Sequence, residues 1–317
     1  MGGSSVKKTI YSTYRKTGIA DAALFVRGNG LSILTYHGIC EDKEAAQPWV
    51  SPNFVRVSEF EQQLKYIKTR FTPLPLDEAV NLLQKGRLPK RAVALTFDDG
   101  YANNLHLAAP LLDQHHVFAT IFLATDYIDT GELFHFDRLR LIKLAKLPRA
   151  FSCDHKRVPI EVIHQFLNET WDQVKATVTP IQRETLRPLS AAEIRVLLKS
   201  AYIQFGAHTL NHCILANETT ERRRKEIVES LRRVTELTEN SRPLFSYPNG
   251  TRQDFGEQDI ELLRQVTTAA VSVISGMNRK GTNPFALRRY PVTMGHDMDS
   301  FVAEVSGLRT LFRSLWP

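Results

Sequence analysis

The 317-residue chain is predicted to be an α/β protein built on a parallel sheet, and three observations predict it. Ala92–Phe97 (AVALTF) is a charge-free run of strand length, as expected for a strand buried on both faces. Residues 117–124 (VFATIFLA) form a second such run. The helix-favouring stretch between the two makes them a βαβ unit. Third, the motifs richest in chemistry stand directly after apolar runs, at strand C-terminal ends, where parallel sheets and barrels carry their sites.

The elements follow in order. Residues 1–30 read as a basic, partly helical arm, whose Tyr11, Tyr14 and Leu24 either pack on the domain or meet a membrane surface. Residues 31–36 (LSILTY) are a strand ending at His37, and residues 40–53 are a loop holding Pro48 and Pro52. Ser58 is placed as N-cap of the next helix, with Glu61 completing a capping box. Residues 76–84 form another helix, with Gly86 past its end. Residues 130–200 change character: charged, helix-favouring and interrupted by Pro148, Pro159, Pro180 and Pro188, they read as a helical insertion. Strands are expected at 202–205, 244–247, 269–274 and 287–292, with helices at 219–239 and 260–266. The domain division is therefore an arm over 1–30 and one catalytic domain over 31–317.

Composition narrows the function. A net charge of +7 with dispersed basic residues and no aromatic-interleaved basic stripe argues against nucleic acid as a partner. An acidic phospholipid face or a phosphate-bearing carrier suits the charge better, so the arm is a candidate for peripheral membrane contact. Cys40, Cys153 and Cys213 offer neither a disulfide framework nor a thiolate metal site, and Cys213 is read as a core residue. No run approaches about 18 apolar residues, and the best leader candidate, residues 19–26, is short and contains Asp21. A cytoplasmic or membrane-peripheral location is expected. Oligomeric state has no signature in the sequence.

Three motifs carry chemistry. In Thr96-Phe97-Asp98-Asp99-Gly100, two adjacent carboxylates close an apolar strand. A cation on one of them would relieve the cost of burying both and leave the other free to take a proton. An ordinary solvent-facing turn has the same sequence. In His208-Thr209-Leu210-Asn211-His212, the two imidazoles share one face if the stretch is helical, and with a carboxylate they suit Zn²⁺ with a fourth position open. A purely structural histidine pair is the alternative. Tyr247-Pro248-Asn249-Gly250 makes a rigid strand-end turn whose N–H groups suit an oxyanion.

Together, TFDDG, HTxxH and the Pro-Asn-Gly turn resemble the polysaccharide deacetylase family (the NodB-homology domain, carbohydrate esterase family 4). The segments Gly131-Glu132-Leu133-Phe134 and Leu287-Arg288-Arg289-Tyr290-Pro291-Val292 resemble its exopolysaccharide and surface-glycan branch. The resemblance implies a distorted (β/α) barrel with fewer than eight strands and a hydrolase that removes N-acetyl groups from amino sugars of a glycan or glycan precursor. It implies Asp98 as base, Asp99, His208 and His212 as ligands of Zn²⁺ or of a similar ion such as Co²⁺ or Ni²⁺, and Asn249 as oxyanion donor.

Two departures from the family pattern stand out. The arginine that orients the base is replaced by Ser246, leaving Arg288 or Arg289 as substitutes. The late histidine of the general acid is absent, leaving His37 and His296 as candidates. The same site would also serve an O-acetyl esterase or a deacylase of a lipid- or nucleotide-linked sugar. The departures would equally suit a silent glycan-binding or assembly protein.

Overall fold

The computed structural model describes residues 11–14, 17, 29–147 and 151–308. Most of the expected arm, Leu24 included, lies outside the described residues; Tyr14 is buried and joins the core.

The main sheet is parallel throughout. β1 (Ser32–Tyr36) pairs with β5 (Ala92–Phe97), followed by β6 (Ala119–Leu123), β7 (Ile203–Ala207), β8 (Phe245–Ser246) and β9 (Ala270–Val271), while β10 (Tyr290–Pro291) flanks β1 on its other side. β4 (Thr72–Pro73) pairs with the lower end of β5, and β2 (Ile39–Cys40) with β3 (Val55–Arg56) forms a separate small sheet. Leu287 bridges to Val271 of β9, three residues before Tyr290 pairs with Leu34 of β1. One short segment thus touches both ends of the sheet and curls it into a seven-stranded barrel. The expected strand at 287–292 is divided between these two contacts, and that at 269–274 keeps only Ala270–Val271.

Side-chain alternation sorts each strand between two cores. Leu34, Val93 and Leu95 face the surrounding helices, whereas Leu31, Ile33, Ala92, Ala94, Phe122, Leu244 and Leu287 fill the barrel. The helix Leu76–Lys85 plugs its lower end with Leu76, Ala79, Val80 and Leu83. Gly206 is required here: a Cβ would sit 2.5 Å from the Phe122 ring. The inward parity, carried past the strand ends, puts His37, Asp98, His208, Ser246 and Arg289 at the barrel's upper mouth.

Between β6 and β7 lie helices Thr125–Thr130, His135–Leu144, Ile160–Thr170, Asp172–Lys175, Pro180–Leu186 and Ala191–Leu197. Ser58 is not an N-cap. β3 runs directly into the helix Val57–Arg70, and the Ser58 hydroxyl donates to Asp42 at 2.8 Å instead. No helix among the described residues is long and apolar enough to cross a membrane.

Candidate metal and catalytic site

Asp99, with a left-handed φ of 75°, and Gly100, with one of 86°, turn the chain away after β5, while Asp98 keeps the inward parity of the strand. Asp98 is thereby aimed back into the barrel mouth, where Arg289 meets it with both guanidinium ends: Nη1 donates to Oδ1 at 2.8 Å and Nη2 to Oδ2 at 2.7 Å. The guanidinium is fully buried and held by Ser272 O (2.7 Å), Thr96 Oγ1 (3.0 Å) and Ser246 Oγ (3.0 Å). Ser246 Oγ in turn donates to Asp98 Oδ1 at 3.2 Å. Burial alone would push the Asp98 carboxyl up; the charge and hydrogen bonds of Arg289, together with the nearby His208 and His37, outweigh it and hold the carboxyl below its ordinary range. Of the two candidates, Arg289 reaches Asp98, whereas Arg288 packs along Gly276.

Asp99, His208 and His212 converge. His212 Nε2 lies 3.2 Å and His208 Nε2 3.5 Å from Asp99 Oδ1, and the ligand atoms of all three lie within 4.8 Å of one another. His208–His212 is not helical: Thr209 and His212 take left-handed φ of 63° and 54°, and this looped path folds one ring toward the other. The helical premise is therefore corrected, although the rings do meet, with centroids 4.8 Å apart. His208 Nδ1 donates to Ser246 O at 2.7 Å, which leaves Nε2 as a lone pair facing Asp99 in the neutral ring. Asp99 Oδ1 is buried and makes no hydrogen bond. The His208 lone pair and a buried carboxylate oxygen oppose one another unless a cation lies between them, so the donor set of Asp99, His208 and His212 fits a divalent ion.

Asn249 sits in the turn after β8 with φ 58°, and its side chain is fixed by Asp254 (2.7 Å) and Lys156 Nζ (2.9 Å). It lines, with His37, Asp99 and His212, a cavity of about 310 Å³. Burial lowers the pKa of the His37 ring, against the opposing pull of Asp99 and Asp98, and its Nδ1 has no partner. His296 does not line this cavity. Its turn folds the ring back so that Nδ1 accepts from Thr293 N at 2.9 Å, which corrects its candidacy as proton donor. Cys213 is buried in the core and borders the cavity outside the ligand group.

Several contributors are not marked by any sequence motif. Glu226, fully buried in the helix Thr220–Thr238, accepts from Leu210 N (2.8 Å), Asn211 N (3.0 Å) and Asn211 Nδ2 (3.1 Å), so it anchors the loop between the histidines. Its position in a highly charged helix gives no hint of that. Tyr101, His135, Arg140, His155 and Lys156 also line the cavity, mostly from the inserted helices.

The family model described as polysaccharide deacetylase matches residues 85–265, more than half of the chain. The chain belongs to the polysaccharide deacetylase family. The match contains Asp98, Asp99, His208, His212 and Asn249; His37 and Arg289 of this deacetylase-family chain lie outside it. The chain is 32% identical over 95 residues to the poly-beta-1,6-N-acetyl-D-glucosamine N-deacetylase of Staphylococcus epidermidis, covering 30% of this chain and 32% of that relative. The curated relatives are thus matched over only about a third of their length. Among solved structures, the Streptococcus pyogenes deacetylase PplD, in complex with acetate, superposes with a TM-score of 0.63 at 18% identity, over 87% of this chain and 98% of that one. IcaB from Ammonifex degensii gives 0.59 at 18% identity, over 88% and 98%. Both show the same fold for this polysaccharide deacetylase family member.

Proposed function

We propose that this chain hydrolyses the N-acetyl group of an amino sugar within a glycan or its precursor. Asp99, His208 and His212 hold a divalent cation, and Asp98 is the base. The observation that carries the reading is the Arg289-clamped Asp98 carboxylate standing beside a separate Asp-His-His group. One carboxylate is kept ionised and outside the ligand set. The name of the Staphylococcus epidermidis relative supports amide rather than ester cleavage and an N-acetylglucosamine polymer as substrate class.

Asp99, His208 and His212 would hold a Zn²⁺, Co²⁺ or Ni²⁺ ion, which would supply Lewis acidity to the acetyl oxygen and lower the pKa of water toward ~7. The residues do the rest. Asp98 Oδ1 already accepts from Arg289 and Ser246, whereas Oδ2 accepts from Arg289 alone, so Oδ2 has the lone pair that takes the proton of the attacking water. Asn249 N–H, at the cavity wall, donates to the developing oxyanion. His37, at the end of β1, relays to the leaving amine the proton that Asp98 takes from the water.

The test is acetate release from matched N-acetyl and O-acetyl sugars, with chelator and after metal is restored. Chelator-sensitive release from the N-acetyl series is expected. Preference for the O-acetyl series would make the chain an esterase, and no release from either would favour a silent glycan-binding protein.

A further inference from the structure

Arg140 lies on the helix His135–Leu144 and reaches across the cavity toward residues 51–53. Its Nη2 contacts Ser51 Oγ at 3.5 Å, while Nη1 is buried and has no hydrogen-bond partner. Among the described residues no carboxylate lies within 4.0 Å of this guanidinium. Asp137, its acidic neighbour one helical turn back, accepts from the Tyr101 hydroxyl at 2.7 Å through Oδ2; it attracts Arg140 at longer range, and burial raises its carboxyl to about 7. On the same cavity wall Lys156 Nζ donates to the neutral amide oxygen of Asn249 at 2.9 Å. The nearby Asp154 caps its own turn through Lys156 N and pairs with Arg157. His135 and His155 complete this side of the wall. Among the described residues Asp99 is the one carboxylate lining the cavity, and in the proposed function it is a metal ligand.

A buried guanidinium N–H without an acceptor is costly, and two cations on one cavity with no carboxylate hydrogen-bonded to either repel each other. An oxyanion would satisfy both. Arg presents a planar fork that matches phosphate or carboxylate, and Lys adds a point charge. We propose that Arg140 and Lys156 form a subsite for an anionic group, phosphate or carboxylate, carried by the glycan beside the amide to be cleaved. This rests on the deacetylase reading and deepens it: the substrate class becomes acidic N-acetylated sugars, and the inserted helices set the preference.

Two readouts test it. Binding of inorganic phosphate and of N-acetylglucosamine-1-phosphate is measured by calorimetry on the full chain as purified, for wild type, Arg140→Gln, Arg140→Lys and Lys156→Gln. Acetate release is then compared for N-acetylglucosamine-1-phosphate, an N-acetylated disaccharide bearing a uronic acid, and a neutral N-acetylglucosamine oligomer. Arg140→Gln should weaken the phosphate probes roughly tenfold or more, with Arg140→Lys intermediate. It should also lower the ratio of kcat/KM on charged over neutral substrate by a similar factor. Lys156→Gln, a change at the exposed rim, should act in the same direction should the Arg140 variants fold poorly. The ratio on the phosphate and the uronate arms shows which anion the subsite takes. Equal binding by all four proteins, or an unchanged ratio, overturns the subsite. Absence of acetate release with Arg140-dependent binding intact overturns the deacetylase reading and leaves the anion site standing.

Discussion

Arg289 and Asp98 form a two-pronged ion pair across the mouth of the barrel, at 2.8 and 2.7 Å, with neither side chain open to solvent. They come from strands far apart in sequence that reach one another only because the segment after Leu287 closes the sheet. Removing one partner strands the other as a buried charge, which costs about 3–5 kcal/mol. Arg289→Met should therefore lower unfolding stability by about that much in denaturant titrations, while metal content stays near wild type. A loss under about 1 kcal/mol would mean that the pair is not holding the base.

Asp98→Asn keeps the shape of the side chain and removes its basicity. Metal content should be unchanged, and the rate should fall by roughly two to four orders of magnitude. Near-normal turnover by metal-loaded variant would take Asp98 out of the base role.

Glu226 tests how the histidine loop is held. Three N–H groups of Leu210 and Asn211 donate to it, so its loss frees the chain between two ligands. Glu226→Ala should weaken metal affinity by roughly 10–100-fold, as expected for a supporting partner of a ligand. Competition with a chromogenic chelator reads this directly, and wild-type affinity in a folded variant would contradict it.

Asp137 gives a pH dependence. Burial raises its carboxyl to about 7, against the opposing pull of Arg140 and the Tyr101 hydroxyl. An unfolded Asp titrates near ~3.9. The folded value is the higher one, so the stabilisation is fully present below about pH 4 and is lost as pH rises through about 7. Wild-type stability relative to Asp137→Asn should therefore fall between those values, by no more than about 4 kcal/mol. Parallel stability curves for the two proteins would refute the shift.

What can be read from the sequence follows the range of the forces involved. β5 is legible because a charge-free run that stops at two carboxylates matches a buried strand ending at a site, and the apolar runs of β1 and β6 are legible on the same physical ground. β8 and β9 shrink to two residues each because the curl of the barrel limits their pairing. The histidine motif is recognisable by its residues, but the helical backbone expected for it is wrong, since nothing local reveals that Thr209 and His212 turn left-handed. Arg289 can be placed from sequence only as one of two adjacent arginines. Its selection depends on strand parity, which aims Arg289 inward and leaves Arg288 against Gly276. Glu226, Arg140 and Lys156 act across long sequence separations, where no periodicity marks them.

The proposed chemistry requires one cation among Asp99, His208 and His212, with Asp98 outside its shell. Anomalous diffraction from crystals of the zinc-loaded protein tests this most directly. One peak is expected about 2.0–2.2 Å from Asp99 Oδ1, His208 Nε2 and His212 Nε2, with both Asp98 oxygens still on Arg289. A peak bound by Asp98, or no peak at these three residues at saturating zinc, would contradict it.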